Sequence, residues 1–268
     1  MAKGRLVFPD LGKRGRLGNS LWQIASTVGL AHERGFAPTF PEDWAYRPYF
    51  NLPSKWYGPI QPRDTRSDTL ATRIDPRARA YLQDLSLWQN VTSEVWNAFE
   101  PSAVAADVVA DQWCDQIAHL SPPHTAVHVR RGDYATNPNG TINSLPSEWY
   151  LRAADKIDST STVVFSDDPD WCEETYGDRF DLYYRGVPRP KEQDEDYLTA
   201  PVLDWIDLFL MAECERHVVS NSSYSWWGAW LSGDQHPVYP GRWYGEQLSY
   251  IDWRAMIPTG WVEVPVEE

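Results

Sequence analysis

The chain has 268 residues, 42% hydrophobic and 23% charged, with no long apolar run and no low-complexity tract, which excludes disordered and fibrous classes. Twenty-four Lys/Arg against 38 Asp/Glu leave a formal net charge of −14, so the surface repels a phosphodiester backbone and sequence-independent nucleic-acid binding is excluded. At ~150 residues per domain, the length predicts two lobes rather than one core.

The charge is uneven. Residues 1–79 carry 13 Lys/Arg and 7 Asp/Glu, leaving 11 and 31 for the remainder, so any anionic ligand needs a local basic island. The first eight residues hold an apolar stretch too short for a signal peptide or anchor, and the expectation is a cytoplasmic protein with no integral membrane segment. Cys114, Cys172 and Cys214 are odd in number and widely spaced, matching neither a disulfide framework nor a Cys-rich zinc site; buried thiols are expected. Fifteen tryptophans and 14 tyrosines suit the flat C–H faces of sugar rings, with core packing as the alternative.

In chain order, Arg5–Phe8 reads as a strand followed by a glycine- and cation-rich loop from Asp10 to Asn19. A helix follows from Ser20, where Ser-Leu-Trp-Gln has capping-box form, and Gly35 supplies the stop. Pro38–Pro76 is dense in Pro, Trp, Tyr and Arg without periodicity and reads as irregular. Val104–Leu120 reads as a helix, and Ser121-Pro122-Pro123 breaks the chain, which places the lobe boundary near 120. Beyond it, strands at Ala126–Val129, Thr162–Phe165, His217–Ser220 and Pro237–Tyr239 alternate with helices at Glu148–Ile157, Pro169–Tyr176, Leu203–Cys214 and from Ser222 or Ser223 to near Gly233. Lys191–Asp196 reads as a solvated acidic loop. Alternation of this kind predicts an α/β fold with parallel sheets, in lobes 1–120 and 121–268 facing a cleft.

Four segments at predicted strand ends carry chemistry, because ligands of open parallel sheets bind outside the carboxyl ends of the strands. His128-Val-Arg130-Arg131-Gly132-Asp133-Tyr134 sends two arginines out of a buried strand, where a phosphate or a carboxylate has to meet them; an internal ion pair with Asp133 is the alternative. Asn221-Ser222-Ser223-Tyr224 puts hydroxyls and backbone N–H groups at a helix start, a ready phosphate site or a plain cap. Ser166-Asp167-Asp168 offers acceptors to a base or sugar, or caps a helix. Arg16, Gly18 and Asn19 lie in a glycine loop that allows close backbone approach to a ligand.

Together these segments resemble the α-1,2-fucosyltransferases, glycosyltransferase family eleven. The resemblance rests on Gly-Arg-Leu-Gly-Asn at 15–19, His-Val-Arg-Arg-Gly-Asp-Tyr at 128–134, Phe-Ser-Asp-Asp at 165–168 and the run from Ser220 to Leu231. Tyr81-Leu82-Gln83 and Asp204–Cys214 match two further segments of the family; Ser20 and Tyr224 stand where it has glutamine and phenylalanine. The resemblance implies a GT-B architecture of two Rossmann-like lobes, with acceptor and glycine loop in the first and GDP-fucose in the second. It implies an inverting, metal-independent transfer of fucose from GDP-β-L-fucose, as co-substrate, to the 2-hydroxyl of an oligosaccharide acceptor, commonly on galactose, with no cofactor. In that reading Arg130 or Arg131 holds the β-phosphate, and His128, Ser166 and Asn221 contribute to the donor site. Ser222, Ser223 and Tyr224 cradle the phosphates, Asp167 or Asp168 reads guanine or ribose, and Arg16, Gly18 and Asn19 close over donor or acceptor. Asp133 is the candidate base or a group that orients the arginines.

Three rivals remain at this level. A metal-dependent glycosyltransferase would use Asp168-Pro-Asp170 as an Asp-x-Asp chelate, a pattern that leaves the paired arginines unexplained. A dinucleotide oxidoreductase lacks its glycine spacing, since Gly12, Gly15 and Gly18 do not form the fingerprint. A non-catalytic glycan-binding protein would explain the tryptophans and not the arginines.

Overall fold

The computed structural model describes residues 2, 4–13, 15–60, 81–136, 141–186 and 203–267. It divides into two compact units, Met1–Val104 with Ile251–Pro258, and Ala105–Tyr250 with Thr259–Glu268. The expected acidic loop at Lys191–Asp196 lies outside the described residues.

In the first unit, β1 (Arg5–Val7) and β2 (Ala37–Thr39) pair in parallel, Arg5 opposite Ala37, with α1 (Leu17–Arg34) between them in sequence. Among the described residues this sheet has two strands. The helix begins three residues earlier than its sequence suggests. Ser20 is not a cap but a buried helical residue whose N–H reaches Arg16 O at 3.1 Å, and Asn19 is held by Gln83 Nε2 at 2.9 Å. Gly18 and Asn19 therefore belong to the first turn of α1 rather than to a loop. The expected stop holds, since Gly35 ends the helix with φ 69°. Short 3-10 turns at Arg47–Tyr49, Ser54–Trp56, Leu85–Leu87 and Gln89–Val91 lead into α2 (Thr92–Phe99).

The second unit starts with α3 (Ala103–Gln116). Trp113 packs edge-on against His124 at the head of the next strand, with ring centroids 5.1 Å apart. That contact ties the helix to the second unit, and the boundary falls between Val104 and Ala105, in the first turn of α3, and not at the Pro122–Pro123 break. The chain continues through β3 (His124–Val129), α4 (Gly132–Ala135), α5 (Ser147–Ala154), β4 (Ser161–Ser166), α6 (Pro169–Tyr176), β5 (Leu182–Tyr184), α7 (Asp204–Ala212), β6 (Arg216–Val218), α8 (Ser223–Ser232), β7 (Val238–Pro240) and β8 (Val262–Val264). All six strands are parallel, in the order β5-β4-β3-β6-β7-β8.

Counted from β3, that order is 3-2-1-4-5-6, the doubly wound arrangement. Every residue of β3 is buried, as expected of a central parallel strand covered on both faces. Trp149, Tyr150 and Ala153 of α5, with Cys172 and Tyr176 of α6, pack on Val127, Val129, Val164, Val218, Val238 and Val264. The Trp149 indole donates to Val264 O at 3.1 Å, so the sheet's last strand is tied to that layer. Trp22, Trp56, Trp88, Trp149, Trp226 and Trp227 are among the largest fully buried side chains, and Trp226 meets Trp227 at 4.8 Å and Trp261 at 5.4 Å. With Trp44, Trp205, Trp243 and Trp253, which are also buried, ten of the 15 tryptophans are core, each aromatic pair contributing about 1 kcal/mol beyond its area. Cys172 and Cys214 are buried thiols as expected, whereas Cys114 is exposed on α3.

Candidate functional site

In an open α/β sheet the ligand crevice lies at the carboxyl ends of the strands where the strand order reverses. Here that point is between β3 and β6, and the expected segments leave those two strands. Register decides their partners. Val129 lies opposite Ser166, so the residues after β3 run beside those after β4, and the paired arginines meet the paired acids.

The Arg131 N–H donates to Asp167 Oδ1 at 2.9 Å, and Arg131 Nε donates to Asp168 Oδ2 at 3.1 Å. Arg130 forks between Asp167 and Asp133. The Arg131 guanidinium lies 3.4 Å above the Trp171 ring and that of Arg130 lies 5.1 Å from the Tyr134 ring. Both arginine side chains are largely covered, at 13% and 23% exposure, so the carboxylates offset the cost of partial burial. Neither Nη atom of Arg131 has a hydrogen-bond partner among the described residues. Asp168 also caps α6 by accepting from Trp171 N at 3.4 Å, and its own N–H donates to Ser166 Oγ at 3.0 Å. The acids after β4 are therefore engaged with the cations.

On the β6 side, His128 Nδ1 lies 2.7 Å from Ser220 Oγ, and Ser220 Oγ lies 3.4 Å from Ser225 Oγ. The His128 and Tyr224 rings lie 5.6 Å apart. Burial, reinforced by the Arg130 charge, pushes the His128 pKa down to about 3, so the imidazole is neutral at physiological pH. Ser222 caps α8 by accepting from Tyr224 N at 3.3 Å, and the Tyr224 hydroxyl donates to Asp204 O on α7. Ser223 is the first residue of α8. Asn221 is buried and its Nδ2 donates to Asn143 O at 3.0 Å and Trp243 O at 3.2 Å, so its amide ties three loops together. Ser220, Ser225 and Trp171 join the constellation without having been singled out in the sequence; Ser220 and Ser225 sit in the same serine-rich motif.

Arg16, Gly18 and Asn19 belong to the first unit. Arg16 is the N-cap residue of α1 and exposed, Gly18 is buried. Arg16 also lines a groove of about 650 Å³ with Gly15, Glu42, Asp43, Trp44 and Tyr46. The acids of the Asp-x-Asp pattern are each engaged by an arginine, Asp168 by Arg131 and Asp170 by Arg185. Among the described residues there is no group of three or more His, Cys, Asp or Glu able to hold a metal, and no helix long and apolar enough to cross a membrane.

Comparison with known proteins agrees with this fold. The O-antigen biosynthesis glycosyltransferase WbnK of Escherichia coli is 35% identical over 128 residues, 45% of this chain and 39% of WbnK. An alpha-1,2-colitosyltransferase of Escherichia coli is 25% identical over 213 residues, 74% of this chain and 68% of that protein. The chain thus spans well under half of WbnK and about two thirds of the colitosyltransferase. Fucosyltransferase NodZ from Bradyrhizobium superposes with a TM-score of 0.51 at 13% identity, covering 86% of this chain and 94% of NodZ, so the α/β fold is of the GT-B type. The profile of glycosyl transferase family 11 matches residues 103–263, the span from α3 to β8 that carries the arginine pair, the acids after β4 and the serine-capped helix, and the chain belongs to that family.

Proposed function

We propose that this protein is an inverting fucosyltransferase that moves L-fucose from GDP-β-L-fucose to the 2-hydroxyl of a glycan acceptor, galactose in the first instance. One observation carries the reading: a cationic pair after β3 and a serine-capped helix after β6 flank the reversal point of a 3-2-1-4-5-6 sheet. As the bond from fucose C1 to the β-phosphate oxygen breaks, positive charge grows on the sugar ring and negative charge on GDP. Cations and helix-start N–H groups fixed beside that oxygen stabilise the transition state more than the ground state. Arg130 and Arg131 take that role, with Ser222, Ser223 and Tyr224 at the phosphates and His128 and Asn221 in the donor site. Asp167 and Asp168 orient the arginines. The acceptor oxygen attacks C1 from the face opposite the diphosphate, and its proton passes to a carboxylate, for which Asp133 is the candidate. No metal or cofactor enters, because arginine supplies the positive charge. The first unit takes the acceptor, whose hydroxyls suit the Glu42 and Asp43 carboxylates and whose ring suits Tyr46.

A second reading keeps the mechanism and changes the donor sugar to colitose, favoured by the match over 213 residues to a colitosyltransferase. Purified protein given GDP-fucose or nucleotide-linked colitose, with galactosides as acceptors, separates the two. The expected product is an α-fucoside at the 2-hydroxyl, read by proton NMR from its anomeric coupling and the shifted acceptor ring position. A β-fucoside overturns the single displacement, and transfer from the colitose donor alone overturns the fucose assignment.

A further inference from the structure

His128 lies at the end of β3 and Ser220 just beyond β6, 92 positions later in the chain. Between them runs a buried row of polar atoms. His128 Nδ1 is 2.7 Å from Ser220 Oγ, Ser220 Oγ is 3.4 Å from Ser225 Oγ, and Ser225 Oγ donates to Ser222 O at 3.3 Å. All four residues are buried, Ser220 completely, so water does not substitute for a missing contact.

The row has a direction, because it ends on a carbonyl oxygen that can only accept. Ser225 has one hydroxyl proton. If that proton goes to Ser222 O, Ser225 Oγ has to accept from Ser220. The Ser220 proton is then committed, and Ser220 Oγ has to accept from His128, which requires the proton on Nδ1. The opposite tautomer leaves His128 Nδ1 accepting from Ser220. The single Ser225 proton then cannot serve both Ser220 Oγ and Ser222 O, and one buried contact is lost. Ser222 O keeps the Trp226 N–H at 3.1 Å in either case, so no group is orphaned, and the Nδ1–H form is favoured severalfold by the one additional hydrogen bond that it makes. The neutral state of the imidazole, already enforced by burial and Arg130, leaves one ring proton to place.

We infer that Ser220 is a positioning residue that fixes His128 as its Nδ1–H tautomer, so that Nε2 presents a lone pair to an N–H or O–H donor of the bound nucleotide. The inference rests on the nucleotide-binding reading for its ligand and on the buried row alone for its tautomer. Arg130 and Arg131 bring only donors, suited to phosphate; an acceptor at the end of the same strand complements them by recognising the donor-bearing base or ribose.

The test reads the two parts separately. Long-range 1H–15N NMR of uniformly labelled wild-type protein, with the signals assigned through His128→Gln, is expected to show His128 as the Nδ1–H form. Ser220→Ala is expected to mix the tautomers and to weaken GDP binding by about tenfold in calorimetry, and Ser220→Thr, which keeps the hydroxyl, is expected to restore both. An Nε2–H form in the wild type overturns the inference without any variant having to fold. An unchanged tautomer in folded Ser220→Ala does the same, as does a changed tautomer with unchanged GDP affinity. Absence of GDP binding by the wild type overturns the nucleotide reading instead, and is recognised because the tautomer signals are read without ligand.

Discussion

Arg131 donates through Nε to Asp168 at 3.1 Å, and its guanidinium lies on the Trp171 ring. The hydrogen bond uses one donor and the ring fixes the plane, so the cation is held at the end of β3 before any ligand arrives. A preorganised cation of this kind avoids reorganisation during the reaction.

Arg130→Ala and Arg131→Ala are each expected to lower the turnover of the proposed transfer by about a hundredfold or more, the effect of removing one preorganised oxyanion donor. Arg131→Lys is expected to recover little, because an ammonium offers neither the planar fork nor the stacking face. Product formation at saturating donor, with circular dichroism to verify folding, checks both statements. Near-normal turnover in both alanine variants would remove the arginines from the mechanism.

Chelation addresses the metal-dependent rival. Transfer is expected to survive excess EDTA, and Asp170→Asn is expected to be tolerated, since Asp170 is 79% exposed and bound to Arg185 on the surface, where such pairs contribute about 0–1 kcal/mol. Activity lost in chelator and restored by manganese or magnesium would transfer support to the Asp168/Asp170 site.

His128 makes stability depend on pH in a known direction. Burial and then Arg130 lower its folded pKa from 6.5 to about 3, so the unfolded chain takes up the proton first. The stabilisation is complete above pH 6.5 and is lost as pH falls towards 3, by about 1.4 kcal/mol per unit. From pH 7 to 5 this group alone costs about 2 kcal/mol. Urea unfolding at the two pH values is expected to show a smaller loss for His128→Gln than for the wild type; equal losses would mean that His128 is not held neutral.

Gly29 lies inside α1, where alanine would ordinarily gain about 1 kcal/mol of helix propensity. A Cβ at this position would run into Leu87 O and come within 2.5 Å of Trp88 Cα, both backbone atoms that cannot turn aside. Gly29→Ala is therefore expected to destabilise the first unit, by about 1–3 kcal/mol as for other overpacked sites. A raised melting temperature would show that the 85–88 segment gives way.

Local signals in the sequence determined much of the second unit. Asp168 before Pro169 marks the start of α6, and Ser222 with Gly233 brackets α8, because a cap and a stop act on backbone groups within a turn of themselves. The four longest-reading strands and the positions of the two arginines and the serine-rich motif were legible for the same reason. The strands β5 and β8 were not, since they are the two edges of the sheet and bury a single residue each, too little apolar pattern to register. The start of α1 was also out of reach, because Gln83, 64 positions away, is what holds Asn19 in the first turn. At the site, composition and spacing left open whether phosphate or carboxylate meets the arginines. The register of Val129 against Ser166 sets Asp167 and Asp168 beside Arg130 and Arg131, and the pairing of β3 with β6 brings Ser220 to His128. Both are pairings across strands, fixed by which residues face one another in the sheet, and no property of either segment alone contains that choice.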